Sequence, residues 1–246
     1  MKQLIAYITA GFPNASMSVD VALALKESGV DILELGIPFS DPVADGPTIE
    51  LANLKTLQRG FKLEELFQIT KQVSFEIPTL WMGYFNPFYH RGMDYFIGRA
   101  HESGCSGFLI PDLPREESGG YKELVENAGL SFIDFIAPTH SKERIQNIAK
   151  ASNRFIYLVA YAGITGRGTA EDLMPTINYI KEVTDTPVYV GFGVDEKTAR
   201  EKVKGADGVI VGSAFVKVLL DESLTGSQKV SKIALLACKI KEEINA

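Results

Sequence analysis

A carboxylate stands in the middle of an apolar run, Ile32-Leu33-Glu34-Leu35-Gly36, and two more, Asp41 and Asp45, follow in a segment braced by Pro38, Pro42, Pro47 and Gly46. A glutamate among apolar residues is costly unless it is paired, protonated or turned toward a cavity. Burial raises its pKa, which is what a side chain that passes a proton at neutral pH requires. A satisfied carboxylate in a core is the bland alternative for Glu34, and a turn or capping residue is the alternative for Asp41.

Glycines form the second group. Gly191-Phe192-Gly193 and Gly212-Ser213-Ala214 each close a short apolar run, and Gly163-Ile164-Thr165-Gly166 follows another. Glycine lets backbone approach an anion closely, and Ser213 with the amides that begin the segment 214–220 can donate to it, so a phosphate site is expected there. Plain turns are the alternative.

These residues need elements to hold them. Apolar runs rich in β-branched and aromatic residues recur at 4–9, 31–36, 79–84, 107–111, 132–137, 155–160, 188–191 and 208–211, each followed by a turn and a segment of helical period. Near-continuous apolarity fits parallel strands covered on both faces. Eight such units in 246 residues predict a (β/α)8 barrel with its chemistry at the C-terminal ends of the strands. An open doubly wound sheet is the competing arrangement. In the helix after Ser141, a candidate N-cap, Ile145, Ile148 and Ala149 share one face. In the last helix Val230, Ile233, Ala234 and Ala237 form the inner face, with Lys229, Lys232 and Lys239 opposite. No linker or composition shift divides the chain, so residues 1–246 are expected to form a single domain.

Composition removes several function classes. The chain carries 25 Lys and Arg against 31 Asp and Glu, a net charge of −6 without a basic run, which disfavours nucleic acid as a partner. Cys105 and Cys238 lack zinc-site or disulfide-scaffold spacing, which suits a reducing compartment. No apolar stretch of signal-peptide or membrane-spanning length is seen, so a cytoplasmic protein is expected. No lysine falls in strands two to eight, which disfavours a Schiff-base aldolase. His90, His101 and His140 have no metal-ligand spacing; His101 is placed in a helix and the other two in loops, and no metal is expected.

The segment from Leu33 to Pro47, reading Leu-Glu-Leu-Gly-Ile-Pro-Phe-Ser-Asp-Pro-Val-Ala-Asp-Gly-Pro, closely resembles the signature of the tryptophan synthase α subunit family. The resemblance continues in family order through Tyr84-Phe85-Asn86-Pro87, Pro111-Asp112-Leu113-Pro114, Ile136-Ala137-Pro138-Thr139, Tyr157, Gly163-Ile164-Thr165-Gly166, Gly191-Phe192-Gly193 and Gly212-Ser213, across almost the whole chain. It implies a (β/α)8 lyase that cleaves indole-3-glycerol phosphate by a retro-aldol step into indole and glyceraldehyde 3-phosphate. Glu34 is then the catalytic acid/base, Asp45 accepts from or orients the indole N–H, and Tyr157 lies near the reacting end. The resemblance further implies that Leu109, Ile136 and Phe192 line the indole pocket, that Gly166, Gly193, Gly212 and Ser213 hold the phosphate, and that Thr165 contacts Asp45 on loop closure.

The resemblance also implies a partner, a β subunit that carries pyridoxal phosphate and receives indole through a tunnel for tryptophan synthesis, in an αββα assembly. Asn86, Pro87, Asp112 and the loop 38–47 match regions facing it, and this chain itself is expected to need no cofactor. Two departures stand out. Much of the extra helix that many relatives carry before strand one is missing, and Tyr161 occupies a position where many have arginine. The other readings are a neighbouring phosphate-binding barrel enzyme and a subunit retained chiefly to activate its partner.

Overall fold

The computed structural model describes residues 1–159, 173–191 and 193–246. Eight parallel strands, β1 (Gln3–Thr9), β2 (Ile32–Gly36), β3 (Thr79–Met82), β4 (Gly107–Leu109), β5 (Ser131–Ile136), β6 (Ile156–Val159), β7 (Val188–Gly191) and β8 (Gly208–Val211), close into a barrel in chain order, with β8 pairing β1. The open sheet is thereby excluded. Around it lie α1 (Ala15–Glu27), α2 (Pro47–Gln58), α3 (Leu63–Val73), α4 (Phe85–Arg91), α5 (Met93–Ser103), α6 (Arg115–Asn127), α7 (Lys142–Ala151), α8 (Met174–Lys181), α9 (Ala199–Lys202), α10 (Ser213–Leu220) and α11 (Gly226–Glu243).

Several boundaries differ from the sequence reading. Asp31 stands before β2 and uses its carboxylate, accepting the Leu4 N–H at 2.7 Å and the Lys241 ammonium at 2.5 Å. Gly83 and Tyr84 leave β3 to begin the turn into α4, and β4 stops at Leu109, short of Pro111, a residue with no N–H to give a ladder. His90 lies on the short helix α4 rather than in a loop, whereas His101 is on α5.

Register fixes which side chains meet inside. Tyr7 pairs with Glu34, Glu34 with Leu80, Met82 with Leu109, and Phe135 with Tyr157. In a parallel ladder such partners share a face, and the face alternates along each strand. Trp81, next to Leu80, therefore faces outward and donates its indole N–H to Thr70 of α3 at 2.8 Å.

Ser141 caps α7 by accepting the Arg144 N–H, and Ile145, Ile148 and Ala149 are buried as their spacing predicted. The last helix differs. Lys229 is buried and donates from its ammonium to the Leu219 carbonyl at 2.7 Å, satisfying an acceptor at the end of α10. The inner face of α11 runs through Lys229, Ile233, Ala237 and Ile240, with Val230 and Ala234 only half-buried. At the N-terminal end of the barrel, the start of β1 is tied to the end of α11: Lys241 donates to the Lys2 carbonyl at 3.1 Å, and Lys2 N–H donates to Asn245 at 2.8 Å. Among the described residues no helix is long and apolar enough to cross a membrane.

Candidate active site

Glu34, Asp45, Tyr157, Gly193, Gly212 and Ser213 line one cavity at the C-terminal mouth of the barrel, in company with Tyr7, Ile49, Met82, Pro111, Phe135, Val194 and Ile210. Strand β2 holds Glu34 inside the barrel with 1% of its surface exposed, and its Oε1 has no hydrogen-bond partner among the described residues. Loss of solvation raises its pKa to about 8, so the carboxyl is neutral at pH 7.

Asp45 comes from the loop between β2 and α2. Burial lifts its pKa to about 6, against hydrogen bonds from Tyr84 and Asn53 that favour the charged form; the nearby Glu50 raises it further. Asn53 donates to it at 3.5 Å. The loop is held by its own turns, Val43 N–H to the Asp41 carbonyl and Asp45 N–H to the Pro42 carbonyl, both 2.9 Å. Phe39 stacks on Tyr84 with centroids 5.3 Å apart. One carboxyl thus keeps its proton at neutral pH while the other ionises, the division of labour that acid–base chemistry needs.

Two tyrosines flank the acid, and each depends on a glycine in the next strand. A Cβ at Gly36 would overlap the Tyr7 phenol, and one at Gly191 would overlap that of Tyr157. Both rings are buried, and burial pushes both phenol pKa values well up, so they remain neutral donors.

Across the mouth, Gly212 precedes the first turn of α10, which closes with Phe215 N–H donating to the Gly212 carbonyl at 3.0 Å. The first N–H groups of a helix have no intrahelical acceptor and favour an anion. Gly193, with φ of +66°, occupies the left-handed region that side-chain-bearing residues avoid. Thr165, Gly166, Tyr161 and Phe192 lie outside the described residues.

The apolar assignments fare differently. Ile136 packs into the layer formed with Ile145, Ile148 and Leu158 and lines a wider groove of about 790 Å³ that shares Asp45, Pro111 and Phe135 with the cavity. Its neighbour Phe135, not singled out by sequence, faces the cavity, because β5 alternates and Phe135 is the residue registered with Tyr157. Leu109 is buried but lines neither space; the chain continues past it, and Pro111 reaches the cavity instead. Tyr7, Met82 and Ile210 were likewise missed. The signal that finds them is strand parity counted from Glu34.

On the same face, Asn86 is exposed and Pro87 half-buried in the first turn of α4. Asp112, from the loop after β4, accepts the Phe85 N–H at 2.7 Å and so caps that helix from outside. Residues 1–245 match the family model described as tryptophan synthase alpha chain. The chain belongs to the tryptophan synthase alpha chain family. The tryptophan synthase alpha chain of Wolinella succinogenes is 55% identical over all of this chain and 97% of its own length, and that of Microcystis aeruginosa is 45% identical over 89% of this chain and 86% of its own. Among solved structures, a chain of tryptophan synthase from M. tuberculosis superposes with a TM-score of 0.88 at 31% identity, covering 100% of this chain and 94% of that one. A chain of the tryptophan synthase a2b2 complex from Pyrococcus furiosus does so with 0.84 at 32% identity, covering 98% and 100%.

Proposed function

We propose that this alpha chain carries out the family's lyase reaction, cleaving indole-3-glycerol phosphate to indole and glyceraldehyde 3-phosphate, with Glu34 as the acid that starts it. The carrying observation is a neutral carboxyl, with an oxygen that has no partner among the described residues, in the same cavity as a carboxylate and the N-terminus of α10. Glu34 gives its proton to indole C3. Positive charge then develops at the ring nitrogen, where ionised Asp45 accepts the N–H and stabilises it. As the bond from C3 to the side chain breaks, its electron pair returns to the ring, the adjacent hydroxyl becomes the aldehyde, and its proton passes to the Glu34 carboxylate, restoring the acid. Tyr157 positions the reacting end. Gly193, Gly212 and Ser213 hold the phosphate, a role the family resemblance also gives Gly166, while it gives Phe192 to the indole pocket and Thr165 to loop closure. Phe135 joins Ile136 beside the indole.

The carbon–carbon cleavage needs only proton donors and acceptors, which this chain's own residues supply; pyridoxal phosphate belongs to the β subunit, which takes up the indole. The relative from Pyrococcus furiosus is an a2b2 complex, and we assign this chain the same αββα assembly. Val43 and Tyr89 leave large apolar surface exposed, 72% and 68%, on the face that carries Asn86, Pro87 and Asp112, as a docking surface does. The 246 residues act as one domain, in the cytoplasm. Following indole formation from indole-3-glycerol phosphate by the purified chain tests this reading: release that rises on adding a cognate β subunit is expected, and no release in either condition overturns it.

A further inference from the structure

We infer that Tyr7 is a specificity-determining residue of the lyase site, its phenol hydroxyl donating to the substrate hydroxyl on the carbon between the reacting carbon and the phosphate-bearing carbon. The inference rests on the cavity being the site proposed above. Strand order sets Tyr7 on the strand that the substrate chain must cross. β1 runs between β8, which leads into Gly212 and Ser213, and β2, which carries Glu34. A chain whose phosphate is held at the first pair and whose reacting carbon sits at Glu34 crosses β1 between them. The substrate has one carbon there, and it bears a hydroxyl.

The phenol is built to meet a ligand in a fixed place. It lines the cavity, with 5% of the residue exposed. Its ring passes over Gly36, where any side chain would displace it, and its base packs against Gly212, whose Cβ would stand 3.2 Å from the Tyr7 Cβ. Among the described residues the one hydrogen bond of the hydroxyl, to Thr9 Oγ1, is long at 3.5 Å. A donor that is buried, clamped and weakly engaged gains when a substrate hydroxyl arrives, and a substrate without that hydroxyl leaves it unsatisfied.

The test is a cycle of two enzymes and two substrates. Wild type and Tyr7→Phe are each given indole-3-glycerol phosphate and its analogue lacking the hydroxyl beside the phosphate-bearing carbon, which still carries the bond to be cleaved. Wild type should show a KM about 5- to 10-fold lower for the hydroxylated substrate, and Tyr7→Phe should lose that preference, with similar KM for the two compounds. A preference that survives in Tyr7→Phe overturns the inference while leaving the lyase reading intact. Wild type that cleaves neither compound overturns both.

Discussion

Ala44 donates its backbone N–H to the Tyr84 hydroxyl at 3.1 Å, so the loop that carries Asp45 is pinned to the residue just beyond β3. The same hydroxyl donates to Asp45 and lowers a pKa that burial raises. One buried phenol thus holds the loop in place and favours the charged form of its carboxylate.

Tyr84→Phe removes that donor, and the Asp45 pKa should rise from about 6. Asp45 works ionised, so the acid limb of kcat/KM for indole release should move to higher pH, with a larger loss at pH 6 than at pH 8. An acid limb that stays in place would mean that Tyr84 does not tune Asp45.

Glu34 carries a stability cost whose sign is fixed by its shift. Its pKa of about 8 in the folded chain lies above the ordinary 4.5, so between these values the folded chain keeps a proton that the unfolded chain releases. Stability falls as pH rises through that window and levels off above it. Glu34→Gln should therefore be inactive yet more stable than wild type, by on the order of 3 kcal/mol at pH 7, with the difference vanishing below pH 4.5. Urea unfolding at pH 4 and pH 8 measures it; a variant less stable at both contradicts the burial of a neutral acid.

Gly191→Ala should destabilise the chain by about 1–3 kcal/mol through overpacking against the Tyr157 ring and reduce indole release at least tenfold. In a Tyr157→Leu background the same change should cost far less. Equal costs in the two backgrounds would show that the ring is not what the glycine accommodates.

On the outer face of β5, Asp134 accepts from the buried Lys122 ammonium and from Ser152 at 2.8 Å, while Lys122 also donates to the Ala151 carbonyl at 2.7 Å. Lys122→Met leaves a buried carboxylate without its cation and should cost about 3–5 kcal/mol. Replacing both, Lys122→Met with Asp134→Leu, should recover most of it. Activity of the folded double variant should be near wild type, because Phe135 and not Asp134 faces the cavity.

How far the sequence could be read follows from these residues. The strands were legible because strands covered on both faces are apolar throughout, and Glu34 because a carboxylate breaks such a run. That same continuity hides facing. Phe135 and Ile136 are equally apolar, and only register with the neighbouring strands decides that the first looks inward. Tyr7 passed as one more apolar strand residue, since its complement, Gly36, lies on another strand. Lys229 was misplaced because spacing arguments score its charge and ignore a stem long enough to carry the ammonium to the Leu219 carbonyl.

The most direct measurement is the pH dependence of kcat/KM for indole release by the wild-type chain. If Glu34 must be protonated to deliver its proton to C3, the rate should decline on the alkaline side with an apparent pKa of about 8. A rate that stays level or rises through pH 9 would contradict Glu34 as the acid.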